Sequence, residues 1–580
     1  MYLEKINGPK DVKKLKIEEL QPLADEVRNA VINRVSKIGG HKGPNLGVVE
    51  LTVALHYVFD SPVDKIVFDV SHQCYPHKIL TGRKEAYLDD TKFSEVTGYT
   101  NPLESEHDSF KIGHTSTSVS LALGLAVARD LKHTKENIIA VIGDGSLSGG
   151  EALEALDYAG EYKNNLIVIV NDNDQSIAEN HGGLYKKLRE LRMMNGVSNN
   201  NFFKALGFEY HYLDDGHDIR KLVALFNSVK DTDHPVLLHI HTIKGKGLKY
   251  AEEDREAWHA GGPFNVLDGS LKNPVIKDDT VFNSLKRLLD NNPKAVVLNA
   301  GTPMCLGFVK GIREEYVNRG QFIDVGIAEE NAVGMISGIA KNGGIPVFGT
   351  FAPFLQRVYD QVSHDLCLNN NPATILVVNP GVYGMNSDTH IALCDIQEFS
   401  HIPNFTYLAP ATKKEYNLAL EYATNKSMHP VGIRVPAFWC ELDSDEPIDI
   451  TKNMIINEGV DVAILAVGPM LKMVLDVALK IKEKINKKIT VVNVLNVSDL
   501  DKDMLDKLEK SHKLIITLED GELQGGYGVN IAGYFGTSNL KVINYGISKK
   551  FHTDFKAEEL LASNGMSIEK LVKVIEDYLI

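Results

Sequence analysis

A glycine-flanked aspartate at the end of one apolar run and an asparagine at the end of the next supply two hard oxygen donors for a divalent cation. Gly143-Asp144-Gly145 closes the run NIIAVIG, and Asn173 follows LIVIV in Asn171-Asp172-Asn173. In open α/β sheets ligands bind beyond the carboxyl ends of the strands. Asp144, Asn173, a nearby main-chain carbonyl such as that of Gln175 and two phosphate oxygens complete an octahedral Mg²⁺ shell. Gly143 and Gly145 let the main chain approach a diphosphate closely. Gly-Asp-Gly alone is also an ordinary strand-to-helix turn with Asp as N-cap, and the Asn-Asp-Asn run tips the balance toward the metal. Four histidines, His41, His72, His114 and His259, stand beside glycines or small residues at expected loop starts. A near-neutral imidazole there suits proton shuttling or holding an oxyanion. Glu329 opens an apolar helix, where the helix amino terminus favours a carboxylate. Phe348, Phe351 and Phe354, three apart, fit the core face of a helix by periodicity.

The elements that must position these residues are legible as apolar runs. One series covers 66–70, 137–143, 166–170 and 236–242, a second 295–299, 322–326, 346–349 and 374–378, and a third 462–468, 489–495, 513–520 and 540–546. Strands apolar on both faces, separated by helical patterns, predict an α/β protein of three doubly wound units with mainly parallel sheets. The polar, Gly-rich stretch 243–280 shows no strand-like run, and 441–458 is acidic with a proline, which places boundaries near 275 and 445. With 62 basic and 77 acidic residues, the net charge of −15 argues against a nucleic-acid or anionic-membrane partner held by bulk electrostatics and leaves local basic pockets open. Five cysteines without a Cys-x-x-Cys pair indicate neither a disulfide framework nor a zinc knuckle. The opening MYLEKINGPKDVKKLK has no apolar core and no run of 18 apolar residues occurs, so a cytoplasmic enzyme is expected.

Gly-Asp-Gly followed at this distance by Asn resembles the diphosphate-binding motif of thiamine-diphosphate enzymes. GGHKGPNLGVVELTVALHYVF (39–59), DVSHQCYPHKILTGR (69–83), GHTSTSVSLALGLAVA (113–128), AEENAV (328–333), FLQRVYDQVSHD (354–365) and LEDGELQGGYGVNI (518–531) resemble, in order, segments of the 1-deoxy-D-xylulose-5-phosphate synthase family of transketolase-like proteins. The resemblance implies a diphosphate-binding domain at 1–275, a pyrimidine-binding domain at 276–445, a C-terminal transketolase-like domain at 446–580, and a homodimer. It implies thiamine diphosphate and Mg²⁺ as cofactors, with pyruvate decarboxylated and its two-carbon unit joined to D-glyceraldehyde 3-phosphate. Asp144, Asn173 and Gln175 would hold the metal. His72, Gly113, His114, Gly143, Gly145, Ser146 and Lys244, with the two metal ligands, would bind the cofactor's charged half. Glu329 would hydrogen-bond the pyrimidine N1′ and so favour the imino tautomer that activates the thiazolium ring, with Phe354 stacked on the pyrimidine. His41, His72, His114, His259 and His390 would handle protons, while Phe351, Arg357 and His390 would face the acceptor. His77 and His217 are left with structural roles.

Three departures from the family fall on the acceptor side. An Asp-Arg-Ala-Gly segment is replaced by Asn379-Pro380-Gly381, Tyr-Pro-Arg-Gly reads Val435-Pro436-Ala437-Phe438, and the pattern before His390 reads Asn386-Ser387-Asp388-Thr389. Two arginines associated with the acceptor's phosphate are thus missing, a loss of about a hundred-fold in binding. Either Arg357, Arg434 or Lys246 replaces them, or the acceptor differs. The stretch after Ile177 is also shorter than the mobile segment that the family carries there. A transketolase-like enzyme or a carboligase with another acceptor, and a non-catalytic cofactor-binding paralogue, are the competing readings.

Overall fold

A computed structural model describes residues 1–273, 278–442 and 447–579. The expected boundaries at 275 and 445 lie outside the described residues. Described residues up to 273, with Gly326–Ala328, form one compact unit, and those from 278 onward form a second.

The first unit carries β1 (Gly40–His41), β2 (Lys65–Phe68), β3 (Ile138–Gly143), β4 (Leu166–Asp172), β5 (Glu209–Leu213), β6 (Pro235–His241) and β7 (Ala260–Gly261). Five of these make a parallel sheet in the order β2-β3-β4-β6-β5, while β1 and β7 pair antiparallel on their own. The central strands are apolar throughout because each face meets a separate core. Ile167 and Ile169 of β4 enter one hydrophobic layer, and Leu166, Val168 and Val170 enter the other. At roughly 1.5–3 kcal/mol per buried side chain, this two-sided burial fixes the sheet.

The second unit contains two sheets. β8 (Ala295–Asn299), β9 (Phe322–Asp324), β10 (Ile345–Phe351), β11 (Thr374–Val378), β12 (Thr406–Leu408) and β13 (Val431–Val435) form a parallel sheet in the order β12-β13-β11-β10-β8-β9. β14 (Met454–Asn457), β15 (Asp461–Val467), β16 (Thr490–Val494), β17 (His512–Glu522) and β18 (Lys541–Ile547) form the other in the order β14-β16-β15-β17-β18, with β14 antiparallel to β16. One core layer serves both sheets: Ile375 and Val377 of β11 share it with Leu465 and Val467 of β15 and with Val492 of β16. That shared layer is why the two sheets make one compact unit.

All twelve expected strands are present. β1, β5, β7, β12, β13 and β14 were not expected, and β7 falls inside the stretch read as strand-free. No helix among the described residues is long and apolar enough to cross a membrane.

Candidate active site

In the first unit the adjacent ends of β3 and β4, with Gly143 opposite Asn171, bring the two expected metal ligands to neighbouring strand tips. Asp144 begins a short 3₁₀ turn before the helix Gly150–Glu161 and is buried. Its Oδ2 accepts the main-chain N–H of Gln175 at 3.0 Å and the side-chain amide of Asn180 at 2.7 Å. Gln175 therefore reaches Asp144 through its N–H. Burial pushes the Asp144 carboxyl well above the usual carboxylate range and the nearby Asp172 charge adds to this, while the Gln175 N–H and Lys244 oppose it. Lys244, whose ammonium donates to the Ser176 carbonyl, is drawn down by burial to about 7 against the pull of Asp144.

Strand alternation divides the Asn-Asp-Asn run. Asn171 accepts the Thr242 hydroxyl at 2.6 Å. Asp172 is fully buried, with Arg192 at 2.6 Å and His239 at 2.8 Å. Asn173 keeps a buried Oδ1 that has no hydrogen-bond partner among the described residues. A Cβ at Gly145 would lie 2.9 Å from that of Ser176, so glycine is required by this close approach; a Cβ at Gly143 would meet no atom within 4 Å.

Three of the four histidines are brought together. The β1–β7 pairing sets His41 opposite Ala260, next to His259. Ring centroids are 5.1 Å apart for His41 and His72, 5.3 Å for His72 and His259, and 5.8 Å for His41 and His259. Asn45 ties the set together, donating to the main-chain carbonyls of His41 at 2.8 Å and His72 at 2.7 Å while accepting the Tyr75 N–H. Burial, then the Lys244 charge, lowers His41 to about 4, and His259 is held well below the usual imidazole range by burial, Lys244 and the other two rings. The expectation of near-neutral pKa values is thus corrected for these two: desolvation keeps them as neutral rings at pH 7. His114 and Gly113 stand on a separate loop. It is tied down where Asp69 accepts the N–H groups of Ser116 at 2.9 Å and Ser118 at 3.0 Å, and where the Ser116 hydroxyl donates to the carbonyl of Ser146 at 2.8 Å.

In the second unit Glu329 is the first residue of the helix Glu329–Lys341 and is buried. Its Oε2 has no hydrogen-bond partner among the described residues. Burial pushes its carboxyl up to about 7, with the Arg357 charge pulling against this. Phe351 ends β10 and Phe354 lies in the following 3₁₀ turn, so the spacing of three marks no helix face; Phe348 alone is core. Phe354 meets Phe351 edge-on at 6.3 Å and His390 at 5.8 Å. Arg434 is corrected as an acceptor cation: it is buried, bonded to Asp395 at 2.6 Å and to Asp520 at 3.0 Å. Phe438, from one altered segment, packs edge-on at 4.9 Å against Tyr383, two residues beyond the other. Lys246, in the first unit, is half-buried, and its carbonyl accepts Arg28 at 2.9 Å. Asn45 and Asp69 were missed because a buried amide or carboxylate facing main-chain groups leaves no periodic trace in sequence, and Asn180 because its partner, Asp144, lies 36 positions away.

Residues 280–437 match the family model for the transketolase pyrimidine-binding domain and 452–571 that for the transketolase C-terminal domain, so this is a protein of the transketolase class, with the thiamine-diphosphate dependence which that domain implies. Residues 3–199 and 192–242 match the model for 1-deoxy-D-xylulose-5-phosphate synthase. The chain is 38% identical to the 1-deoxy-D-xylulose-5-phosphate synthase of Carboxydothermus hydrogenoformans, covering 98% of each chain, and 35% identical to that of Clostridium tetani, covering 99% of each. It belongs to the 1-deoxy-D-xylulose-5-phosphate synthase family. Among solved structures, a Campylobacter jejuni transketolase is similar at 19% identity and a TM-score of 0.44, over 97% of this chain and 100% of that one.

Proposed function

We propose that this chain, with Mg²⁺ and thiamine diphosphate, decarboxylates pyruvate and joins the remaining two carbons to D-glyceraldehyde 3-phosphate, giving 1-deoxy-D-xylulose 5-phosphate. The observation that carries the reading is two buried oxygens without hydrogen-bond partners among the described residues, Asn173 Oδ1 in the first unit and Glu329 Oε2 in the second. Buried polar atoms are almost always paired, and these two suit a cation and a ring nitrogen. When bound, the cofactor supplies the carbanion chemistry that the side chains lack. Asp144 and Asn173 hold the metal, with Gln175 beside them, and Gly143, Gly145 and Ser146 bring main chain to the diphosphate. Glu329, with a pKa near the working pH, holds or yields a proton at Oε2. His41 and His259, held neutral by burial, form a wall with His72 in the first unit, with His114 on the neighbouring loop. Phe354 offers an apolar face, and Phe351, Arg357 and His390 meet the acceptor. With Arg434 neutralised, Arg357 is the cation best suited to the acceptor's phosphate in the second unit. The domain limits 1–275, 276–445 and 446–580, a homodimer and a cytoplasmic location complete the proposal.

Purified protein incubated with Mg²⁺, thiamine diphosphate, pyruvate and either D-glyceraldehyde 3-phosphate or D-glyceraldehyde should release carbon dioxide and form the five-carbon product faster from the phosphorylated acceptor. Equal or better use of the unphosphorylated aldehyde would assign a different acceptor, and no carbon dioxide release with either would remove the activity.

A further inference from the structure

Asn180 lies in the short stretch after Ile177, outside the segments whose residue types suggested chemistry. Its amide nonetheless donates to Asp144 Oδ2 at 2.7 Å, closer than the 3.0 Å bond from the Gln175 N–H to the same oxygen. We propose that Asn180 is a positioning residue that fixes the rotation of the Asp144 carboxylate and thereby sets the affinity for the divalent cation, a role that rests on reading Asp144 and Asn173 as its ligands.

Two donors converging on one oxygen define the carboxylate plane about its Cβ–Cγ bond, and at 1% exposure Asp144 has little water to do this instead. The remaining lone pairs are then directed to the metal without a search among rotamers. The stretch bearing Asn180 is itself held to the same strand tips. The Ser176 carbonyl accepts the Lys244 ammonium, the Tyr185 hydroxyl donates to the Gly145 carbonyl at 3.1 Å, and Arg192 pairs with Asp172 at 2.6 Å and Asp174 at 2.8 Å. Asn180 therefore delivers its amide from a scaffold built on the metal-bearing strands, the arrangement by which outer partners orient metal ligands elsewhere.

Full-length protein titrated with Mn²⁺ at saturating thiamine diphosphate, with free Mn²⁺ read by its electron paramagnetic resonance signal, tests this without turnover. Asn180→Ala should bind Mn²⁺ about 10-fold or more weakly, while the melting temperature of the cofactor-free protein stays close to that of the parent. Asn180→Gln, which keeps the amide one methylene further out, should fall between. Parental Mn²⁺ affinity in Asn180→Ala, alongside lost affinity in Asp144→Asn, would overturn the positioning role alone. Parental affinity in Asp144→Asn would overturn the metal reading and this role with it.

Discussion

Glu329 shows how one side chain trades stability for reactivity. Its carboxyl is buried and raised to about 7 from an ordinary 4.5. The folded protein therefore holds a proton that the unfolded chain releases once pH exceeds about 4.5. The sign follows: stability is fully present below that pH, falls as pH rises toward 7 and stays lost above it. Glu329→Gln keeps the shape and removes the ionisation, so the cofactor-free variant should be more stable than the parent at pH 8 by on the order of 3 kcal/mol, and equal to it near pH 4. Thermal denaturation at the two pH values measures this, and a gain of the same size at both would show that the carboxyl is not desolvated. Turnover should fall at the same time by about 100-fold or more. At this scale the sequence was informative about residue type and silent about neighbours. Glu329 and Asp144 stand out because a carboxylate beside apolar runs is conspicuous. Arg434 looked like a spare cation because its neutralising partners lie 39 and 86 positions away.

The elements work by tying loops to strand ends, and the helix Ser118–Lys132 is the clearest case. Its N-cap residue, Thr117, makes no side-chain capping bond. Asp69, just past the end of β2, instead accepts the N–H groups of Ser116 and Ser118, supplying from a distance the acceptor that a helix start needs. Asp69→Ala should leave both buried donors unsatisfied, at about 1–3 kcal/mol each. It should loosen the loop that carries Gly113 and His114, whereas Asp69→Asn, which keeps one acceptor oxygen, should do less. Hydrogen exchange at Ser116 and Ser118 reports the loosening directly, and unchanged protection in the alanine variant would show that the loop is held by other contacts. The apolar runs were readable because two-sided burial demands unbroken Val, Ile and Leu. β13, Val-Gly-Ile-Arg-Val, was not, since glycine and arginine interrupt the run although every residue is buried. β1 and β7 have two residues each and exist only because each finds the other across more than 200 positions. Pattern within a window cannot report such a pairing, and the histidine cluster depends on it.

In the whole chain a net charge of −15 coexists with deeply buried cations, and the second unit shows what holds such a charge in place. Arg434 of β13 reaches Asp395, which opens the helix Asp395–Phe399, and Asp520 of β17, so its guanidinium links the two sheets that share a core layer. Tyr407 of β12 adds its hydroxyl to Asp395 at 2.6 Å. Removing one partner of a buried pair strands the others as uncompensated charge, at about 3–5 kcal/mol. Arg434→Met fills much of the same volume and should lower the stability of the second unit by that amount at pH 8. Burial already raises Asp520, and Arg434 opposes this. Without the guanidinium Asp520 would be driven further toward its neutral form, a stabilisation lost as pH rises, so the deficit should shrink toward pH 5. The kinetic signature separates this bracing role from phosphate binding. At a temperature where both variants are folded, Arg434→Met should leave KM for D-glyceraldehyde 3-phosphate near the parental value, whereas Arg357→Ala should raise it about 10-fold, the loss expected for one charge-assisted contact. A raised acceptor KM in Arg434→Met with unchanged melting would instead place that guanidinium in the acceptor's site and make its two carboxylates incidental.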